Sequence, residues 1–326
     1  MKNLKKLSLV LLAITAFWSC SNDDDVVVVP STPLNVVQTA QATPSLSILV
    51  DALTQANLVG ALTANGERTV FAPNNDAFTA FLSAKGFASL SDVPNAVLTQ
   101  ILLNHVVDGS NIESSTLVNT TGYVSTLASG PNSSKLSLFY NGNNGVILNG
   151  GSTVINADVS TTNGIVHVVD QVIDIPTVVT FAVADPAFDS LQEALTTSTP
   201  GTDFASILSR TEDNADGINP DFTVLAPTND AFSAITTSPT EAQLTNILLH
   251  HVFSGANVRS GDLTPNGDTT AASLEGDDVT VTLPGTGGNI ANVEDGSGNT
   301  DIGIIAVDVQ ASNGVIHAVN KVLLPM

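Results

Sequence analysis

At 326 residues the chain is long enough for two domains of ordinary size, each able to bury a core without cross-links. Hydrophobic residues make up 43% and charged residues only 12%, which excludes a chain held open by self-repulsion. Nine Lys and Arg against 31 Asp and Glu give a formal net charge of -22, and such a surface repels phosphate backbones, so no nucleic acid partner is expected.

The first residues carry Lys2, Lys5 and Lys6, then an apolar run from Leu7 to Trp18, then Ser19 and Cys20. The run is about half the roughly 20 residues that a membrane-spanning helix needs, so residues 1-19 read as an export signal outside the fold. Cys20 is the only cysteine, so no intramolecular disulfide can form. A cysteine after a small residue at the end of a signal resembles the lipobox of bacterial lipoproteins. That resemblance implies lipidation of Cys20, which holds the chain to a membrane through acyl chains. Asp23 to Asp25 resemble the acidic tether of Bacteroidota lipoproteins, which implies an outer-membrane location with exposure at the cell surface. Pro30 and Pro33 keep the 20-34 segment extended, as a stalk requires.

Beyond the stalk the chain is written twice. TVFAPNNDAF at 69-78 recurs as TVLAPTNDAF at 223-232, ILLNHVVDG at 101-109 as ILLHHVFSG at 247-255, and NGIVHVVDQVI at 163-173 as NGVIHAVNKVL at 313-323. Three landmarks in the same order mark a duplicated domain, here placed at 35-176 and 177-326. The duplication predicts two modules that fold independently.

Each landmark has a local physical reading. Thr69 to Phe71 form a strand end, Pro73 terminates it, and Asn74 or Asn75 caps a helix whose first turn holds Asp76 against the positive end of the dipole. Phe78 turns inward. Thr223, Pro227, Thr228, Asn229, Asp230 and Phe232 repeat the pattern. The second landmark ends an apolar helix, over about 96-103 and 242-249, and passes through His105 or His251 into a short strand stopped by glycine. In the third, residues 165-170 alternate with period two, predicting a strand with two distinct faces. Asn163-Gly164 and Asn313-Gly314 before it signal hairpin turns. Helices upstream and short, mostly antiparallel strands downstream make each unit α+β.

The landmarks resemble the fasciclin domain family, with its T-V-F-A-P-x-N-D-A-F opening, a middle helix ending in L-x-x-H and a closing N-G-x-x-H-x-I/V-D-x-V-L. The resemblance implies two tandem domains, each a roughly seven-stranded antiparallel β-wedge or sandwich with flanking helices. It also implies adhesion to protein, matrix or glycan ligands. Asn104 and His250 stand before the middle histidine, where many members carry a nearby tyrosine, and Asn320 takes the place of Asp170 in the second copy.

All five histidines lie inside apolar landmarks, and His105 with His251 and His167 with His317 form equivalent pairs. Recurrence in both copies predicts a structural role, such as a ring hydrogen bond across the strand-to-helix corner. No H-x-x-x-H or H-E-x-x-H spacing points to a metal, and no G-x-S-x-G elbow to a nucleophile, so neither catalysis, cofactor nor metal is expected. The acidic loops at 212-217 and 295-300 lack the closing acid of a calcium loop and read as solvated turns. The reading is a non-catalytic cell-surface adhesion or binding module. The alternatives are a glycan or small-ligand capture protein of an uptake system and a metal-dependent extracellular hydrolase.

Overall fold

The computed structural model describes residues 33–235 and 238–326. The expected signal over 1-19, Cys20 and the tether up to residue 32 lie outside the described residues.

In the first copy the helices are α1 (Val36–Ala42), α2 (Ser47–Gln55), α3 (Val59–Thr63), α4 (Asn75–Lys85), α5 (Asn95–Asn104) and α6 (Ser114–Leu117). The strands are β1 (Arg68–Pro73), β2 (Val106–Asp108), β3 (Thr121–Ser129), β4 (Lys135–Asn141), β5 (Ile147–Leu148), β6 (Ser152–Thr161) and β7 (Gly164–Val169). They join in the order β2-β1-β7-β6-β5-β4-β3. β1 pairs with β7 in parallel, and the other neighbours are antiparallel. Parallel pairing follows because the whole segment from α4 to β6 serves as the crossover between them.

The second copy repeats this with α7 (Val178–Ala184), α8 (Asp189–Thr196), α9 (Phe204–Leu208), α10 (Asn229–Ser233) and α11 (Glu241–His250). Its strands are β8 (Phe222–Pro227), β9 (Val252–Phe253), β10 (Asp268–Ala272), β11 (Asp278–Thr282), β12 (Ala291–Glu294), β13 (Ile302–Ala311) and β14 (Gly314–Val319). The order is β10-β11-β12-β13-β14-β8-β9, with β14 and β8 parallel. Each copy is therefore α+β with a seven-stranded mixed sheet.

Two apolar layers lie on either side of β1 and β7. Val70, Ala72, Val106, Val166 and Val168 face the helices and pack with Leu49, Leu53, Leu98 and Leu102. Phe71, Val107 and Val169 face the other way, against Leu138 and Leu148 from β4 and β5. β7 has the two distinct faces that its alternation predicts, and both are buried because it lies between the helices and the folded-over strands.

The turn before β7 differs from the reading in detail. Thr161 pairs with Gly164, so Thr162 and Asn163 form the turn and Gly164 opens the strand. A side chain at Gly164 would place its Cβ 2.3 Å from the Arg68 carbonyl oxygen, and at Gly314 2.3 Å from that of Phe222. Glycine is required there by close backbone approach, not by turn geometry.

The copies meet at a tight seam, which sequence-based independence does not anticipate. Phe139 of β4 belongs to the core cluster formed by Val178, Phe181, Phe188 and Phe222 of the second copy, and Tyr123 packs against the same cluster. Tyr123 meets Phe139 as a tilted pair at 5.1 Å and Phe181 edge-on at 5.6 Å. Its hydroxyl donates to Asp185 Oδ2 at 2.7 Å, and burial followed by the Asp185 charge holds it protonated well above the usual phenol range. Ser137 Oγ accepts from the Gln310 N–H at 2.9 Å, and the Pro176 carbonyl accepts from the Ser312 N–H at 2.8 Å.

Candidate functional site

The opening motif forms the strand-to-helix corner that its residues predict. β1 ends at Pro73 and Asn74 caps α4 by accepting from the Ala77 N–H at 2.8 Å; β8 ends at Pro227 and Thr228 does the same for α10 from Ala231 at 3.4 Å. Asn75 and Asn229 have a different task. Asn75 accepts from the Ile48 N–H at 3.0 Å and donates to the Pro44 carbonyl, while Asn229 accepts from Ser190 at 2.9 Å and donates to Pro186. Each ties its corner to the start of an earlier helix, α2 in the first copy and α8 in the second. Asp76 and Asp230 stand exposed in the first turn, Phe78 is buried, and Phe232 is half-buried.

The middle histidines tie the ends of α5 and α11 to the segments that follow β7 and β14. His105 Nδ1 donates to the Ile101 carbonyl at 2.7 Å and Nε2 accepts from the Ile173 N–H at 2.8 Å. His251 repeats this with Ile247 at 2.7 Å and Leu323 at 2.9 Å. One donor and one acceptor require the neutral ring. Burial pushes both imidazoles down to about 4, opposed by the bonds to Ile101 and Ile247.

The closing motif supplies two further joints. Asn163 accepts from the Val36 N–H at 2.9 Å and donates to Leu62 and Ala64, pinning α1 and α3 to the turn. Asn313 accepts from Val178 at 3.0 Å and donates to Leu208 and Arg210. His167 Nε2 donates to the Ile112 carbonyl at 2.8 Å while Nδ1 accepts from the Asp158 N–H at 3.2 Å; His317 does so with Val258 at 2.9 Å and Asp308 at 3.4 Å. Burial lowers His317 from its ordinary value. Thr69 Oγ1 donates to Ser110 and accepts from Ile112, and Thr223 does the same with Ala256 and Val258.

Sequence reasoning missed one repeated pair. Asp158 and Asp308 sit at bulges of β6 and β13 with positive φ of 59° and 65°, and their carboxylates accept from the N–H and hydroxyl of Ser114 and Ser260. The Ser114 hydroxyl and then its N–H hold Asp158 below the usual carboxylate range. The available signal was D-V-x-x-x-N-G, which precedes both closing motifs.

His250 departs from its counterpart Asn104. Asn104 is buried and donates to the carbonyls of Ile173 and Asp174. His250 Nδ1 instead lies 3.1 Å from Ser273 Oγ and 3.7 Å from Glu275 Oε2, and Nε2 accepts from the Gly296 N–H at 3.1 Å. His250, Glu275 and Asp277 are the grouping among the described residues whose donor atoms, within 4.8 Å of one another, have the composition of a metal site. The acids come from a later loop, so no spacing motif revealed it. Both ring nitrogens are engaged within the protein, and Asp277 Oδ2 accepts from the Met326 N–H at 2.6 Å.

The loop at 295-300 is exposed from Ser297 onward, as a solvated turn would be, but its first residue is not. Asp295 is buried and accepts from the N–H groups of Leu324, Ser297 and Asn299. Its burial raises its pKa, but these bonds outweigh burial and leave the carboxyl below its ordinary value. The cause is tertiary, because Leu324 lies at the far end of the copy. The loop at 212-217 is exposed, as its composition predicts.

A cleft of about 410 Å³ opens along the seam, bordered by Tyr123, Ser137, Asp185, Thr228 and Asp308. Among the described residues no helix is long and apolar enough to cross a membrane.

The duplicated corner, the paired histidine joints and the seven-stranded sheets define a tandem pair of one domain type. The family described as Fasciclin domain matches residues 44–176 and 200–325, and the chain belongs to it. Protein sll1483 of Synechocystis is 36% identical over 140 residues, covering 43% of this chain and 73% of that protein. Transforming growth factor-beta-induced protein ig-h3 of Oryctolagus cuniculus is 28% identical over 271 residues, 80% of this chain and 35% of its own length. Human periostin is 24% identical over 312 residues, 92% of this chain and 32% of its own length. The chain thus spans about a third of the last two relatives. Among solved structures, a FAS1 domain pair from the insect cell adhesion molecule Fasciclin I aligns with a TM-score of 0.50 at 19% identity, over 86% of this chain and 97% of the other. That likeness is one of fold.

Proposed function

We propose that the chain is an exported, non-catalytic binding module of the adhesion type, held at the outer membrane through a lipid on Cys20. One observation carries the non-catalytic part: both ring nitrogens of all five histidines are engaged by the chain's own backbone or, once, by Ser273. A general base or a metal ligand needs a nitrogen facing substrate or ion, so these rings serve as scaffold. The same holds for Thr69, Asn75, Asn163 and their partners in the second copy, whose side chains join elements to one another. Domain limits of 35-176 and 177-326 accord with this, since Asn163 and Asn313 each gather the helices of one copy.

Fasciclin I is a cell adhesion molecule, and membership of the same domain family supports a protein, matrix or glycan ligand here. The seam cleft, lined by residues of both copies, is the surface on which such a ligand would touch both domains at once. The acidic surface favours neutral or cationic partners. Cells displaying the full chain, tested on a glycan array and on surfaces coated with matrix proteins, should bind more than cells lacking it. Equal binding by both would remove the adhesion reading. Labelled palmitate should appear on the wild type and not on Cys20→Ala; label on both, or on neither, would remove the anchor.

A further inference from the structure

The two copies differ in the packing between β1 or β8 and the strands that fold over them. In the first copy the Phe71 ring lies on the His167 imidazole, with centroids 5.5 Å apart and planes 25° from parallel. Val124, Leu138 and Tyr140 close over that cluster from β3 and β4. In the second copy Leu225 holds the place of Phe71, paired with His317 as Phe71 is with His167. The facing strands bring the smaller Ala271, Val279 and Val281. Phe253, standing where the first copy has Val107, restores only part of the lost volume.

A cavity of about 110 Å³ remains, bounded by Leu225, Phe253, Leu263, Val279, Ile304 and His317. Ala271 is exposed at its edge, which leaves an entrance. The polar side chains on the wall are already partnered. Thr223 is bonded to Ala256 and Val258, Ser254 to both backbone groups of Asn219, Thr269 to Thr264, and His317 to Val258 and Asp308. The wall therefore offers mainly apolar surface and one imidazole. An apolar pocket of this order, open at one edge, has room for a small ring.

We propose that this cavity binds a small, uncharged aromatic molecule, its ring lying over His317 beside Phe253 in the place that Phe71 fills in the first copy. A planar ring meets the flat imidazole as an offset stack, which a saturated ring of similar size cannot do. The site is independent of the adhesion reading.

The test is titration of toluene into the full chain, followed by methyl NMR. Shifts should gather at Leu263, Val279, Val281 and Ile304 and leave Leu138 and Val146 unmoved, with methylcyclohexane binding more weakly. Leu225→Phe, which writes the first copy's residue into the second, should weaken toluene binding about tenfold or more and raise the thermal midpoint. Val281→Phe fills the cavity from the half-buried opposite wall and carries the same expectation if the first variant does not fold. The proposal is overturned if toluene gives no shifts at its solubility limit, if the filled variants bind it as the wild type does, or if methylcyclohexane binds as tightly.

Discussion

The first copy closes its sandwich with an aromatic ring against a histidine, whereas the second sets a leucine at that place and a histidine where the first has Asn104. Between them nothing changes in the corner histidines, the hub asparagines or the bulge aspartates. The contrast separates two kinds of constraint. Residues that satisfy buried backbone groups cannot vary, because a lost partner leaves a donor or acceptor without water. Residues that only fill space can vary, provided that neighbours take up the volume or a cavity is tolerated.

The strongest way to break the comparison is to remove the shared joint from each copy in turn. His105→Ala and His251→Ala each leave two buried backbone groups unpaired and a void, at a cost of about 3–5 kcal/mol. Urea unfolding with residue-resolved hydrogen exchange should show similar losses in the altered copy. A loss in one copy much below the other would mean that the joints are not equivalent.

Acid should then separate the copies. His105 and His251 have folded pKa values of about 4, below the unfolded value near 6.5. The neutral rings therefore contribute full stability above pH 6.5, and that contribution falls away as pH drops toward 4, by roughly 3 kcal/mol for each ring. The second copy holds two further imidazoles depressed by burial, His250 and His317. It should lose exchange protection first as the buffer is taken from pH 7 to 4.5, and His250→Asn should narrow the gap. Earlier loss in the first copy would contradict this ordering.

The smallest effect is expected at the seam. Tyr123→Phe removes the hydroxyl that Asp185 accepts from, at a cost of about 1–2 kcal/mol, while the ring contacts remain. Exchange protection around 185-188 should fall while that of α2 is unchanged. A uniform fall across both copies would show that the seam governs global stability.

Much of the fold and of the corner joints is legible in the residues alone. The proline stop, the capping position and the helix ending at His105 follow from residue chemistry over a few positions. Their repetition supplies the domain count. The second partner of each ring is not legible, because Ile173 and Leu323 lie far along the chain from His105 and His251. Asp295 escapes for the same reason, since a carboxylate in a Gly- and Asn-rich stretch looks solvated until Leu324 arrives to bond it.

The order of letters alone determined two α+β units, their corner motifs and their acidic surface, because short-range steric and hydrogen-bonding preferences are written locally. Only the tertiary structure decided that β7 is buried on both faces, that Tyr123 joins the copies, and that replacing Phe71 by Leu225 leaves a cavity. Burial, partner and void depend on which distant segments pack together, and no local preference encodes that.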